Sequence, residues 1–97
     1  MFEVQQTQAY SAWFGSLRDQ RAKGLITSRL FRLTLGHFGD AKSVGAGVHE
    51  LRIAFGPGYR VYFTRRGERI VLLLCGGDKA DQRRDIAKAQ SLASELE

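Results

Sequence analysis

Val48-His49-Glu50-Leu51-Arg52-Ile53, Gly56-Pro57-Gly58 and Tyr59-Arg60-Val61-Tyr62-Phe63-Thr64 carry most of the structural information in this chain. In the first segment Val48, Leu51 and Ile53 are apolar, followed by Phe55, and Arg52 stands between two of them. In the last, Tyr59, Val61 and Phe63 alternate with Arg60, Tyr62 and Thr64. A period of two is that of a strand with one face buried. Gly56-Pro57-Gly58 is a strong turn signal, so the two strands are antiparallel neighbours. Arg66-Gly67-Glu68 makes a second hairpin turn. The apolar run Ile70 to Cys75 then has the composition of a central strand covered on both faces, which Gly76 and Gly77 are expected to break.

Before this meander, Phe2 to Thr7 reads as a short strand, and Thr7 can cap the helix that follows. Tyr10, Trp13, Phe14 and Leu17 fall at i, i+3, i+4 and i+7, the stripe of an amphipathic helix with its aromatics in the core. Arg18, Asp19, Arg21 and Lys23 continue that helix to a stop at Gly24. A second helix is expected from Leu25 to Leu35, with Ile26, Leu30 and Leu33 inward, ended by Gly36. Gly36, Gly39, Gly45 and Gly47 mark a loop or an irregular short strand. After the meander, Asp78 or Asp81 caps a last helix that buries Ile86, Ala89, Ala93 and Leu96. The order is strand, helical hairpin, meander of three or four strands, helix: an α+β domain.

At 97 residues the chain is a single domain, residues 1–97. Its 43% apolar content is too high for a disordered polycation. One cysteine, Cys75, excludes an internal disulfide and a multi-cysteine zinc site, and reads as a small buried hydrophobe. His37 and His49 have no second ligand pair beside them, so neither a metal nor a cofactor is expected. The longest apolar run is far short of the roughly 20 residues of a membrane span, and no secretory signal is visible. The expectation is a soluble, cytoplasmic domain with no membrane partner.

The net charge is +5, with 15 Lys and Arg against 10 Asp and Glu. It comes from two segments. Arg18 to Arg32 and Arg52 to Arg69 each hold five bases and one acid, whereas the stretch from Asp78 onward is near neutral. Such an excess suits an anionic partner, nucleic acid or an acidic protein. Period two puts Arg52 and Arg60 on the face opposite Leu51, Ile53, Tyr59 and Val61, one or two positions apart across the turn. Lys79, at the end of the next strand, can approach the same face. Fixed cations of this kind can grip a scissile phosphate and stabilise the charge of a pentavalent transition state. The adjacent ribose 2′-hydroxyl supplies the nucleophile, Glu50 is a candidate base, and His49, Tyr62 and Asp78 are further candidates for proton transfer. The plainer reading is a solvated polar face with cross-strand charge pairs such as Glu50 with Arg60.

Val48-His49-Glu50-Leu51-Arg52-Ile53, Gly56-Pro57-Gly58-Tyr59-Arg60-Val61-Tyr62-Phe63 and Leu72-Leu73-Leu74-Cys75-Gly76-Gly77-Asp78-Lys79 resemble the RelE/ParE toxin superfamily, in its HigB-like, phage-related addiction-module killer branch. Trp13-Phe14, Leu17-Arg18-Asp19 and Gly39 to Val44 are similar to it too, so the resemblance spans essentially the whole chain. It implies a RelE-like fold: an N-terminal strand and two-helix hairpin packed on a twisted, mostly antiparallel sheet, with a C-terminal helix. It implies a type II toxin neutralised by a cognate, helix-turn-helix, HigA-like antitoxin. It further implies an endoribonuclease that cuts mRNA on the ribosome without a metal; the ParE relatives instead poison DNA gyrase, and a degenerate toxin would bind only its antitoxin. Arg60 matches the arginine used at the scissile phosphate, Arg52 a basic residue of the preceding strand, and Lys79 a second basic catalytic position. Where RelE has a catalytic tyrosine in the last helix, this chain has Asp85. Arg18, Arg21, Lys23, Lys42, Arg65 and Arg66 are left to attract the phosphate backbone.

Overall fold

The computed structural model describes residues 1–96. Its elements are β1 (Glu3–Gln6), α1 (Gln8–Ser16), α2 (Gln20–Thr34), β2 (Ala41–Ser43), β3 (Val48–Ile53), β4 (Tyr59–Arg66), β5 (Ile70–Asp78), a 3-10 turn (Lys79–Asp81) and α3 (Gln82–Glu95). The strands form one mixed sheet in the order β1-β5-β4-β3-β2, with β1 parallel to β5 and the other neighbours antiparallel. The class is α+β. Among the described residues no helix is long and apolar enough to cross a membrane.

The period-two reading holds through the meander. Leu51, Ile53, Val61, Phe63, Val71 and Leu73 pack with Tyr10 of α1 and with Ile26 and Leu33 of α2. Val48, Tyr62, Leu72, Leu74 and Cys75 pack on the other face with Ala89 and Ala93 of α3. The register between β4 and β5 shifts once: Tyr62 pairs with Cys75 but Phe63 with Leu73. The unpaired Leu74 is a bulge, which lets Leu74 and Cys75 both join the α3 side. Cys75 is buried as expected, and burial raises its thiol to about 11, so it is an inert thiol at neutral pH.

Three boundaries differ from the sequence reading, each for a local reason. The helical hairpin turns at Leu17–Asp19, not at Gly24. The Asp19 carboxylate accepts from the N–H groups of Arg21 and Ala22 at 3.0 and 3.1 Å, which starts α2 there. Gly24 therefore lies inside α2, and a methyl group at its Cα would meet nothing within 4 Å. An interior helical glycine costs about 1 kcal/mol relative to alanine. Gly24→Ala is accordingly expected to raise Tm by about 4–8 °C in a thermal melt; an unchanged Tm would contradict the helical placement.

The second difference is at Gly76 and Gly77, which do not break β5: Val61 pairs with Gly76, Arg60 with Gly77 and Tyr59 with Asp78. The glycines are there because neighbours occupy the space of a side chain. The Trp13 ring lies over Gly76 and the Asp85 carboxylate over Gly77. The third is at the far end of α3, where Leu96 is exposed and follows the helix, while Ala89 and Ala93 form the buried side and Ile86 is half-buried.

Candidate functional site

Arg52 and Arg60 face each other directly in the β3–β4 register, on the α3 side of the sheet, and not one or two positions apart as expected from the turn. Lys79 starts the 3-10 turn at the same corner. A methyl group on Gly58 would lie 3.3 Å from the Lys79 Cβ and 3.4 Å from Arg60 Nη1. The stem of Lys79 and the Arg60 guanidinium thus meet at the Gly58 turn, and Arg52 lies across the ladder from Arg60.

They are not equally free. Arg60 is 9% exposed and its Nη1 donates to the carbonyls of Gly58 and Tyr59 at 3.1 and 3.2 Å, bracing the turn. Its Nε has no hydrogen-bond acceptor and lies 3.9 Å from Glu50 Oε1, which has no donor. The cross-strand Glu50–Arg60 pair of the plainer reading is therefore present. Arg52 donates from Nε and Nη2 to Asp40 Oδ1 at 3.1 and 2.6 Å. That bond holds the Asp40 carboxyl below the usual carboxylate range. Arg29 donates to the carbonyls of Arg52 and Phe38 at 2.7 and 3.3 Å and so fixes the glycine-rich loop that presents Asp40. Lys79 is exposed, and among the described residues it is in no ion pair.

Glu50 is fully buried. Its Oε2 accepts from Gln82 Nε2 of α3 at 2.6 Å and from the Tyr62 hydroxyl at 3.3 Å. In this conformation neither Glu50 nor Tyr62 touches solvent, so the expected base contact of Glu50 with a substrate is replaced by a supporting one beneath Arg60. Burial first, then the Glu50 charge, raises the Tyr62 hydroxyl well above its ordinary value, so it stays a protonated donor. Asp78 accepts from the Ala80 N–H at 3.0 Å and serves as a cap. His49 is on the opposite face, stacked on Phe63 with centroids 5.3 Å apart, and does not join the cluster. A residue two positions from its expected neighbours would have shared their face; His49 is one and three away from Glu50 and Arg52.

Two residues of this corner have little signal in the sequence. Gln82 reaches Glu50 from a helix 32 positions away. Asp85 is 6% exposed, sits over Gly77 opposite Arg60, and lines a cavity of about 430 Å³ with Trp13, Asp81, Arg84 and Lys88. Burial raises its carboxyl above the ordinary carboxylate value, more than Arg84, at 3.6 Å, lowers it. A carboxyl that holds its proton more tightly folded than unfolded loses stability as pH rises through its unfolded pKa towards the folded one. Asp85→Asn is thus expected to melt above wild type near pH 7, with the gap closing at about pH 3, where both side chains are neutral. A gap independent of pH would assign the effect to packing.

The remaining basic residues do not form one surface. Arg18 lies exposed between α1 and α2, Arg21 covers the Phe55 ring at 5.3 Å, and Lys23 covers Phe14 at 5.3 Å. Lys42 is on the edge strand, Arg65 covers Phe2 at 4.9 Å, and Arg66 donates to the Leu96 carbonyl. Six strand residues, about 20 Å, separate the Tyr59 end of β4 from the Arg65 end. Among the described residues no three His, Cys, Asp or Glu side chains are grouped so as to hold a metal ion.

No protein-family model matches the chain. An uncharacterized protein of Haemophilus influenzae is 47% identical over 94 residues, covering 97% of this chain and 95% of that protein. The chain belongs to that protein's family.

Proposed function

We propose that the chain is the toxin of a type II toxin–antitoxin pair, with a RelE-like fold, and that it cleaves mRNA at the corner formed by Arg60, Arg52 and Lys79. The observation that carries this is the arginine pair in direct register, with Lys79 beside it and Arg60 Nε facing a buried carboxylate oxygen at 3.9 Å, both without hydrogen bonds. A largely dehydrated guanidinium fixed by Glu50 and by two carbonyls needs little reorganisation to meet a phosphoryl oxygen as charge develops on it. Lys79 and the outer guanidinium edge of Arg52 bind the flanking phosphates.

The ribose 2′-oxygen forms a bond to phosphorus as the bond to the 5′-oxygen breaks, leaving a 2′,3′-cyclic phosphate and a 5′-hydroxyl. In this proposal Asp85, which stands against Gly77 in the neighbouring cavity and takes the place of the catalytic tyrosine of the RelE resemblance, accepts the proton of the 2′-hydroxyl, and water returns one to the departing oxygen. The partner is mRNA on the ribosome, and neutralisation belongs to a helix-turn-helix, HigA-like antitoxin. The site of action is the cytoplasm.

The test is mapping of RNA 5′ ends after induction of wild type, Lys79→Ala, Arg60→Ala and Asp85→Asn. New 5′-hydroxyl ends are expected with wild type and a loss of about 10²-fold or more with each variant. Lys79 is exposed and Asp85→Asn is expected to be more stable, so loss of cutting in these two cannot be ascribed to unfolding.

A second reading is favoured by the internal bonds of the same arginines: Arg52 to Asp40, and Arg60 to Gly58 and Tyr59. A protein that binds gyrase in the ParE manner, or a degenerate toxin that binds only its antitoxin, needs no free phosphate grip. Growth arrest with intact messages would select it.

A further inference from the structure

On the opposite face of the sheet, at the other end of β3 and β4, a pocket of about 250 Å³ is lined by Phe38, Ala41, Ser43, His49, Phe63 and Arg65, with Gly39 and Lys42 at its rim. We infer that this pocket binds one nucleotide of a single-stranded RNA, stacking its base on the half-buried His49 and Phe38 rings and holding its phosphate with Arg65.

The walls are aromatic and the rim is cationic. Phe63 lies under the half-buried His49 ring, with the planes 21° apart. Phe38 packs against Phe63 at 5.8 Å and edge-on to Phe2 at 5.4 Å. The Arg65 guanidinium sits 4.9 Å above the Phe2 ring and 5.9 Å above Phe38. Among the described residues no carboxylate lines the pocket, and Arg65 is in no ion pair. Aromatic faces beside an unpaired cation are the combination that holds single-stranded nucleic acid. The volume lies just under the roughly 300–1,000 Å³ of sites for drug-sized ligands, which suits one base with its phosphate.

The sheet edge adds hydrogen-bonding groups. Asp40, Lys42 and Val44 bond to β3 partners or lie opposite them in the ladder: the Arg52 N–H donates to Asp40, Lys42 pairs with Glu50, and the Val44 N–H donates to Val48. By the alternation of an antiparallel ladder, the N–H and C=O groups of Ala41 and Ser43 face outward at the edge. They can meet the polar edge of a stacked base. His49 is three residues from Arg52 along β3, about 10 Å, but on the other face of the sheet, so an RNA that meets both sites passes over the β2 edge. This link to a scissile phosphate rests on the nuclease reading; the affinity of the pocket for a nucleotide does not.

The experiment is NMR of the full chain, following the His49 and Phe38 ring signals during titration with AMP, a 2′-O-methyl hexanucleotide that cannot be cut, and inorganic phosphate. Saturable shifts with the hexanucleotide, weakened about tenfold by Arg65→Ala and by His49→Ala, are the expected result. Both variants leave Arg60 untouched, and Arg60→Ala should keep the shifts even when cutting is lost. Shifts with AMP alone would support the nucleotide site but assign it to a free nucleotide. Equal shifts with inorganic phosphate, or none with either nucleotide, would overturn the proposal.

Discussion

Gly76→Ala is expected to lower Tm by at least about 15 °C, a loss of some 3 kcal/mol or more. The new methyl carbon would stand 2.2 Å from Trp13 Cε3 and 2.4 Å from Cδ2 and Cζ3, against an optimal carbon separation of about 3.5–4.0 Å. Neither partner can yield easily. Gly76 is held between β-ladder positions opposite Val61, and the indole is wedged against Tyr10 at 5.7 Å and Tyr59 at 6.5 Å. Moving the ring displaces α1 from β5; moving the strand breaks its pairing with β4. For a domain whose total stability is about 5–15 kcal/mol, that is a large share. A double-mutant cycle separates the two contributions: Trp13→Ala alone destabilises by loss of packing, but adding Gly76→Ala to it should then be nearly free. A single Gly76→Ala variant that melts within about 2 °C of wild type would show that Trp13 does not cover the strand.

Those glycines also mark where the sequence was legible and where it was misleading. That Arg52 and Arg60 share one face followed from two strands with period two and one turn, because both signals are local and independent; their direct pairing did not, since the length of the turn left the register open. The α3 face followed in part: Ala89 and Ala93 repeat at helical spacing, but Leu96 falls past the end of the helix. Gly24 looked like a helix stop because glycine in isolation carries that meaning, while the signal that mattered was Asp19 with its carboxylate positioned for two N–H groups. Gly76 and Gly77 looked like a strand end; an isolated glycine pair in a strand pattern equally signals close approach of another element, and only the positions of Trp13 and Asp85 decide between these. The partners Asp40 and Gln82 had no periodic pattern to announce them, since each reaches the corner across a loop or from a separate helix. The burial of Glu50 was hidden for the same reason. Alternation assigned it to the polar face of the sheet, and nothing in its own strand says that α3 lies over that face.

That burial makes Glu50 the position with the second large effect. Glu50→Ala is expected to cost about 3–5 kcal/mol, because it leaves the nearly buried Arg60 guanidinium without its carboxylate and strands the donors of Gln82 and Tyr62. Glu50→Gln keeps the shape and one acceptor for Gln82, so its cost should be clearly smaller than that of alanine. What glutamine cannot replace is the negative charge 3.9 Å from Arg60 Nε. The two variants therefore divide the role of this residue. If Glu50 only fills space, glutamine and alanine should differ by little more than their volumes. If it holds Arg60 by charge, glutamine should fold but, under the proposed nuclease function, lose cleavage along with the Arg60 variants. Chemical denaturation of both variants, paired with RNA 5′-end mapping of the glutamine variant, reads the two effects separately. A Glu50→Ala chain as stable as wild type would mean that Arg60 draws its support from the Gly58 and Tyr59 carbonyls alone.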